Sequence, residues 1–140
     1  MTHARAQFAA VCCNEKIYVF SGWNEHLSMT ECECFDPCTQ KWVDIAPMPV
    51  GRSDIRALLM SDKNTIAIMG GHCILVHLYN VRENVWTTAS WSLRIHRHNF
   101  SAHYLENDGG QVIICGGVHV GSRFQRVLKR CDMYTMATNK

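Results

Sequence analysis

Eight cysteines and eight histidines in 140 residues are the side chains of this chain best equipped for chemistry. Thiolates and imidazoles hold zinc, and Cys34 and Cys38 stand at a separation that zinc sites tolerate. Cys32 and Cys34, however, lie on one face of a strand pattern, at positions where a parallel stretch carries Val76 and Leu78. They read as small hydrophobes, as do Cys12 and Cys13 in another apolar run, so neither a metal nor a cofactor is expected. Cys73, beside His72, is the candidate for a redox-active thiol, because a neighbouring cation favours the thiolate. No histidine has a Cys or Asp partner at a telling spacing. There is no glycine-rich phosphate loop opening a helix and no nucleophile elbow, so the chain does not read as an enzyme.

The chemistry that remains is recognition. Trp23, Asn24, Glu25 and His26 form one polar-aromatic group, Arg52, Ser53, His72 and Cys73 a second, and His96, Arg97, His98, His119 and Arg123 a third. Arg126, Lys129 and Arg130 continue the densest positive run. What brings the three groups together is a repeat. Apolar runs end in a small residue and Gly at Ile17–Gly22, Thr65–Gly71 and Gln111–Gly117. The second Gly recurs at 22, 71 and 117, spacings of 49 and 46. An aromatic follows at Phe35, Tyr79 and Tyr134. Trp42 and Trp86 each stand seven residues after that aromatic, and the third such place would be position 141. Arg5, Arg52 and Arg97 each precede an apolar residue by three.

Each repeat divides into short strands. The first gives Gln7–Cys13, Ile17–Ser21, Thr30–Phe35 and Trp42–Ile45. The second gives Ile55–Met60, Thr65–Met69, Leu75–Tyr79 and Val85–Ala89. The third gives Asn99–Tyr104, Gln111–Cys115 and Leu128–Tyr134. No segment sustains a 3.6-residue apolar period, so almost no helix is expected. The second strand of each repeat is apolar throughout, which implies burial on both faces. Consecutive four-stranded antiparallel sheets covered on both sides describe propeller blades. The strands run up and down, so the loop before strand one and the loop after strand two emerge at one end. That end collects all three recognition groups.

These residues resemble the kelch repeat. The Gly pairs Gly70-Gly71 and Gly116-Gly117, the aromatics, the Trp seven residues on and the preceding Arg carry the resemblance, together with FDPCTQKW at Phe35–Trp42 and APMPVGRSD at Ala46–Asp54. Ser21 replaces the first Gly of repeat one, the second repeat has a very short loop after its Gly pair, and the third lacks its Trp and fourth strand. The resemblance implies an all-β fold: a partial kelch β-propeller of about three blades, the last incomplete. It covers one kelch-repeat region, 1–140, with repeats near 5–51, 52–96 and 97–140. Gly22, Phe35, Trp42, Gly70, Gly71, Tyr79, Trp86, Gly116, Gly117 and Tyr134 are its structural positions.

Three blades do not close a ring, so the chain is expected to be a fragment of a longer protein, a truncated product, or a half that pairs with another copy. The resemblance further implies a protein-interaction module whose loop end binds a protein or peptide, often an acidic one. Trp23, Asn24, His26, Arg52, Ser53, His72, Arg97, His98, His119 and Arg123 are the expected contacts. The alternative for the repeated arginines is that they tie the blades together through backbone carbonyls. In kelch-like proteins such propellers commonly form the substrate-recognition end of a cullin-dependent ubiquitin ligase adaptor, which reaches the cullin through a BTB domain absent from this chain. Actin binding, a propeller enzyme and a non-functional fragment are the rival readings.

Composition bounds the rest. Nearly half the residues are apolar and about a fifth charged, as in a globular domain. The net charge of +2 does not argue for nucleic acid. No apolar run approaches the roughly 20 residues of a membrane span. MTHARAQF has no apolar signal-peptide core. Free thiols in a reducing compartment follow, with a cytoplasmic location expected. The triplet Asn99-Phe100-Ser101 is then a chance spelling of a glycosylation site.

Overall fold

The computed structural model describes residues 1–107, 109–121 and 124–136. Every element is a strand, and no helix occurs among these residues. β1 (Ala9–Cys13), β2 (Lys16–Phe20), β3 (Cys32–Asp36) and β4 (Lys41–Ile45) form one antiparallel sheet in that order. β5 (Ile55–Leu59), β6 (Thr65–Gly70), β7 (Cys73–Asn80) and β8 (Val85–Ser92) form a second of the same topology. In the third, β10 (Gln111–Cys115) is flanked by β9 (Ser101–Leu105) and β13 (Cys131–Thr135). Between β10 and β13 the chain makes a separate hairpin of β11 (Val118–Val120) and β12 (Gln125–Val127). These are blades of a partial propeller, the third with three strands in its described part.

The central strand β6 shows why its sequence is apolar without alternation. Ile66 and Ile68 point to one core, with Phe20, Ile55 and Tyr79; Ala67 and Met69 point to the other, with Val76, Phe100, Val112 and Ile114. Both faces of the second blade are covered. In β10 only Val112 and Ile114 are buried, and Ile113 and Cys115 face away. The expectation of two-sided burial therefore holds for β6 and fails for β10, which has one covered face.

Strand starts correct the sequence reading by two residues or more at five places, two of them β3, which begins at Cys32 rather than Thr30, and β7, which begins at Cys73 rather than Leu75. Gln7, Asp54 and Asn99 stand in phase, each two residues after the repeated Arg, and all three have left-handed backbone (φ 54°, 54° and 48°). The chain kinks there, so β1 and β9 begin at Ala9 and Ser101 rather than at Gln7 and Asn99. Leu128 was expected to open a strand but instead donates its N–H to the Gly117 carbonyl (2.8 Å), closing the base of the β11–β12 hairpin.

The Gly pairs sit where the blades meet. Gly70 has φ +99°, and a Cβ there would come within 2.4 Å of the Phe100 ring of the next blade. Across each seam the second Gly donates its N–H to the carbonyl of the next repeated Arg: Gly22 to Arg52 (2.8 Å) and Gly71 to Arg97 (3.1 Å). Ser21, which replaces a Gly, keeps the left-handed backbone (φ 52°) and is fully buried. Its hydroxyl lies within donating reach of the Arg52 carbonyl (2.7 Å) and the Met29 carbonyl (2.5 Å), which share its one proton, and accepts from the Arg52 N–H (2.8 Å). The extra oxygen thus works as part of the seam between the first two blades.

The in-phase aromatics pack against their neighbours. Trp86 meets Phe20 edge-on (5.6 Å) and Tyr79 (5.0 Å), and its indole N–H reaches the Ala46 carbonyl of the first blade (2.9 Å). Phe35 and Trp42 lie against each other (5.0 Å). Trp91, outside the repeat pattern, extends β8 and packs on Tyr134 (5.2 Å).

Candidate recognition end and its arginine braces

The three repeated arginines do one job, and it is internal. Arg5 donates to the carbonyls of Ser21 (2.8 Å) and Glu31 (2.7 Å) and pairs with the Glu33 carboxylate (2.7 Å). Arg97 donates to the Gly116 carbonyl (3.0 Å) and pairs with the Asp132 carboxylate. Arg52 donates to the Leu75 carbonyl (2.8 Å) and meets Nδ1 of His77 at 2.6 Å. Glu33, His77 and Asp132 are equivalent. They face Val19, Ile68 and Ile114 across the ladder, each three residues before the second Gly. All three are buried, and so are Arg52 and Arg97.

Arg52 and Arg97, expected among the partner contacts with a brace between blades as the alternative, are buried in the structure. The terminal nitrogens of their guanidinium groups bond acceptors within their own blades, and Nε of Arg52 is buried without a partner among the described residues. A buried charge is tolerable only when paired and hydrogen-bonded, which is what Glu33 and Asp132 provide. Burial pushes the Glu33 carboxyl up, but donation from Thr2 and His3 and the Arg5 charge outweigh it and hold the group below its ordinary value. His77 is also held below its ordinary range, by burial and then by the Arg52 charge. Arg52 is a permanent cation, so the neutral imidazole accepts at Nδ1.

This partner set was missed in the sequence, although it left a signal. Glu33, His77 and Asp132 each stand two residues before the repeated aromatic at 35, 79 and 134. Their different types hide the shared position.

With the arginines inside, the loop end presents other groups. The strand 2–3 connection is long in the first blade, almost absent in the second, and the β11–β12 hairpin in the third. Trp23 is tied by paired backbone bonds to Ala6 (both 2.8 Å), and its ring stays 43% exposed. The Asn24 side chain accepts from the N–H groups of His26 and Leu27 (both 3.0 Å), so Asn24 shapes the loop while His26 is exposed. A cleft of about 490 Å³ is lined by Gln7, Trp23, Ser28, Ser53, Asp54 and His72. It brings together three of the expected residues, Trp23, Ser53 and His72, and adds Asp54, which sequence reasoning passed over. Asp54 lies 3.5 Å from Nδ1 of His98, and the His72 and His98 rings meet at 4.4 Å. His98 is buried; desolvation and then His72 hold its pKa below the ordinary value despite Asp54.

The third blade carries a second cavity, of about 560 Å³, lined by Ile95, His119, Val127, Leu128 and the cations Arg126, Lys129 and Arg130. His119 is fixed by Nδ1 against the His96 carbonyl (2.9 Å). Nearby, Arg94, Arg97 and Arg130 all pair with the one carboxylate of Asp132. Three cations on one anion leave a local positive surplus. Arg123 lies outside the described residues.

Comparison with known proteins agrees with the repeat. Residues 4–49 match the family model of the Kelch motif. The chain is 33% identical to Kelch-like protein 23 of Homo sapiens over 73 residues, 52% of this chain and 13% of that protein. It is 31% identical to Kelch-like protein 15 of Danio rerio over 99 residues, 61% of this chain and 16% of that protein. Kelch-like protein 26 of Danio rerio is 28% identical over 101 residues. The chain thus spans less than a fifth of the length of these relatives.

Proposed function

We propose that this chain is a protein-interaction module, part of a kelch propeller of repeats near 5–51, 52–96 and 97–140, and that it binds a protein or peptide at its loop end. The observation that carries the reading is the cleft of Trp23, Ser28, Ser53, Asp54 and His72. A half-exposed Trp held by a rigid scaffold is the kind of anchor on which protein interfaces concentrate their energy. The positive surplus around His119, Arg126, Lys129 and Arg130 favours an acidic segment of that partner. Kelch-like relatives support the finer reading: the substrate-recognition part of a cullin-dependent ubiquitin ligase adaptor, joined to the cullin through a BTB domain carried elsewhere.

The test is affinity capture from cells followed by mass spectrometry, comparing the native chain with a Trp23→Ala/His72→Ala variant. The reading expects a defined set of partners lost from the variant. Capture that ignores the double substitution overturns it. Cosedimentation with actin filaments separates the cytoskeletal alternative. A full-length parent that never co-purifies a cullin would remove the adaptor role while leaving the interaction module standing.

A further inference from the structure

The geometry points to a modification site that is independent of the partner reading: Cys115 and Cys131 form a thiol pair set to close into a disulfide under hydroperoxide. The two residues face each other across the β10–β13 ladder. Their sulfurs lie 2.7 Å apart, the one cysteine–cysteine hydrogen bond among the described residues. The covalent bond is about 2.05 Å, so closure needs a shift of well under an ångström.

The ladder itself sets the geometry. Gly116 N–H donates to the Arg130 carbonyl (3.1 Å), and Met136 N–H to the Gly110 carbonyl (2.9 Å). Both are hydrogen-bonded pairs, and such pairs alternate with non-hydrogen-bonded ones along an antiparallel ladder. Cys115–Cys131 falls on a non-hydrogen-bonded place, where side chains are closer and Cα atoms are about 4.5 Å apart. That lies within the span a disulfide accepts, about 4.4–6.8 Å.

Other thiols lack this arrangement. Cys13, Cys32 and Cys34 are buried, and Cys12 and Cys38 are exposed and make no sulfur–sulfur hydrogen bond among the described residues. Cys73, the thiol nominated from the sequence, is half-buried. Cys131 is exposed and Cys115 partly so, which gives an oxidant access to the pair.

The chemistry balances with a hydroperoxide as oxidant. The Cys131 thiolate attacks the peroxide O–O bond, forming a sulfenic acid and releasing water once the leaving oxygen is protonated. The Cys115 sulfur then attacks the sulfenic sulfur. An S–S bond forms, the S–O bond breaks, and a second water leaves with the Cys115 proton. Two thiols lose two electrons and the peroxide gains them. A dithiol reductant reverses the step. The new bond would staple the base of the segment that carries β11 and β12 and lines the basic cavity.

The test treats the purified chain with hydrogen peroxide under native conditions, then alkylates, digests and maps cross-links by mass spectrometry. The Cys115–Cys131 cross-link is expected to dominate, to revert with dithiothreitol, and to slow hydrogen exchange in Val118–Val120 and Gln125–Val127. Cys131→Ser, at an exposed position, should abolish it, and Cys38→Ser should not. Preferential pairing with other cysteines, or independent over-oxidation of the two thiols, overturns the proposal. So does a cross-link that forms equally fast in urea, because strand register would then play no part.

Discussion

The first and second blades solve one problem with different chemistry. Both place an arginine from the segment ahead of strand one against the third strand, and both satisfy it partly with backbone carbonyls. In the first blade the remaining partner is the carboxylate of Glu33; in the second it is the neutral imidazole of His77. The difference teaches that the repeat keeps a geometry, an Arg reaching an acceptor opposite the residue three before the second Gly, rather than a charge pair. It also makes the two blades unequal in what they lose when the arginine is removed.

Arg5→Ala should have the largest effect. It leaves the buried Glu33 carboxylate without its cation, and breaking such a pair costs about 3–5 kcal/mol. The urea-unfolding midpoint would read it. Next comes the seam between the two blades. Ser21→Ala removes the hydroxyl that accepts from the Arg52 N–H, with an expected loss of about 1–3 kcal/mol for the buried donor left unpaired, while the Arg52 carbonyl keeps the Gly22 N–H. A loss as large as that of Arg5→Ala would mean the seam, and not the brace, holds the blades.

The pH dependence sharpens the comparison. The folded His77 pKa is depressed below its ordinary 6.5, so the folded state binds fewer protons than the unfolded one as pH falls. Stability from this group is full above about 6.5 and declines as pH drops toward the lowered value. Glu33 is also depressed, from 4.5, and its contribution declines only below about 4.5. The second blade should therefore weaken first on acidification. His77→Glu should move its share of the decline from the histidine range to the carboxylate range, as followed by unfolding at a series of pH values. His98, also depressed, should keep the remainder. Trp23→Ala should have the smallest effect, about 1 kcal/mol or less, because the residue is half-exposed and its backbone bonds to Ala6 remain.

Much of this fold could be read directly from the chain. The period of the Gly pairs, Phe35, Tyr79 and Tyr134 located the blades, because covering both faces of a strand demands an unbroken apolar run such as Thr65–Met69. Strand ends were less legible: the left-handed kinks at Gln7 and Asn99 depend on loop context that neither residue type announces. The β11–β12 hairpin was invisible, since its two three-residue strands carry no period to detect. At the loop end, Trp23, Ser53 and His72 line one cleft, a proximity legible in the sequence because topology alone fixes which loops share an end. The fate of the arginines was not, because a guanidinium that folds back into its blade and one that faces solvent have the same sequence. Only the partners at Glu33, His77 and Asp132 decide between them.

The most direct test of this account is the stability of Arg52→Ala beside that of Trp23→Ala, measured by urea unfolding together with partner capture. Arg52 is predicted to be a brace: its removal should cost about 1–3 kcal/mol, less than Arg5→Ala, because the partner left behind is a neutral imidazole and a carbonyl. Trp23→Ala should leave stability in place and abolish capture. An Arg52→Ala variant as stable as the native chain but unable to capture a partner would contradict the account, since it would return the arginine to the binding surface.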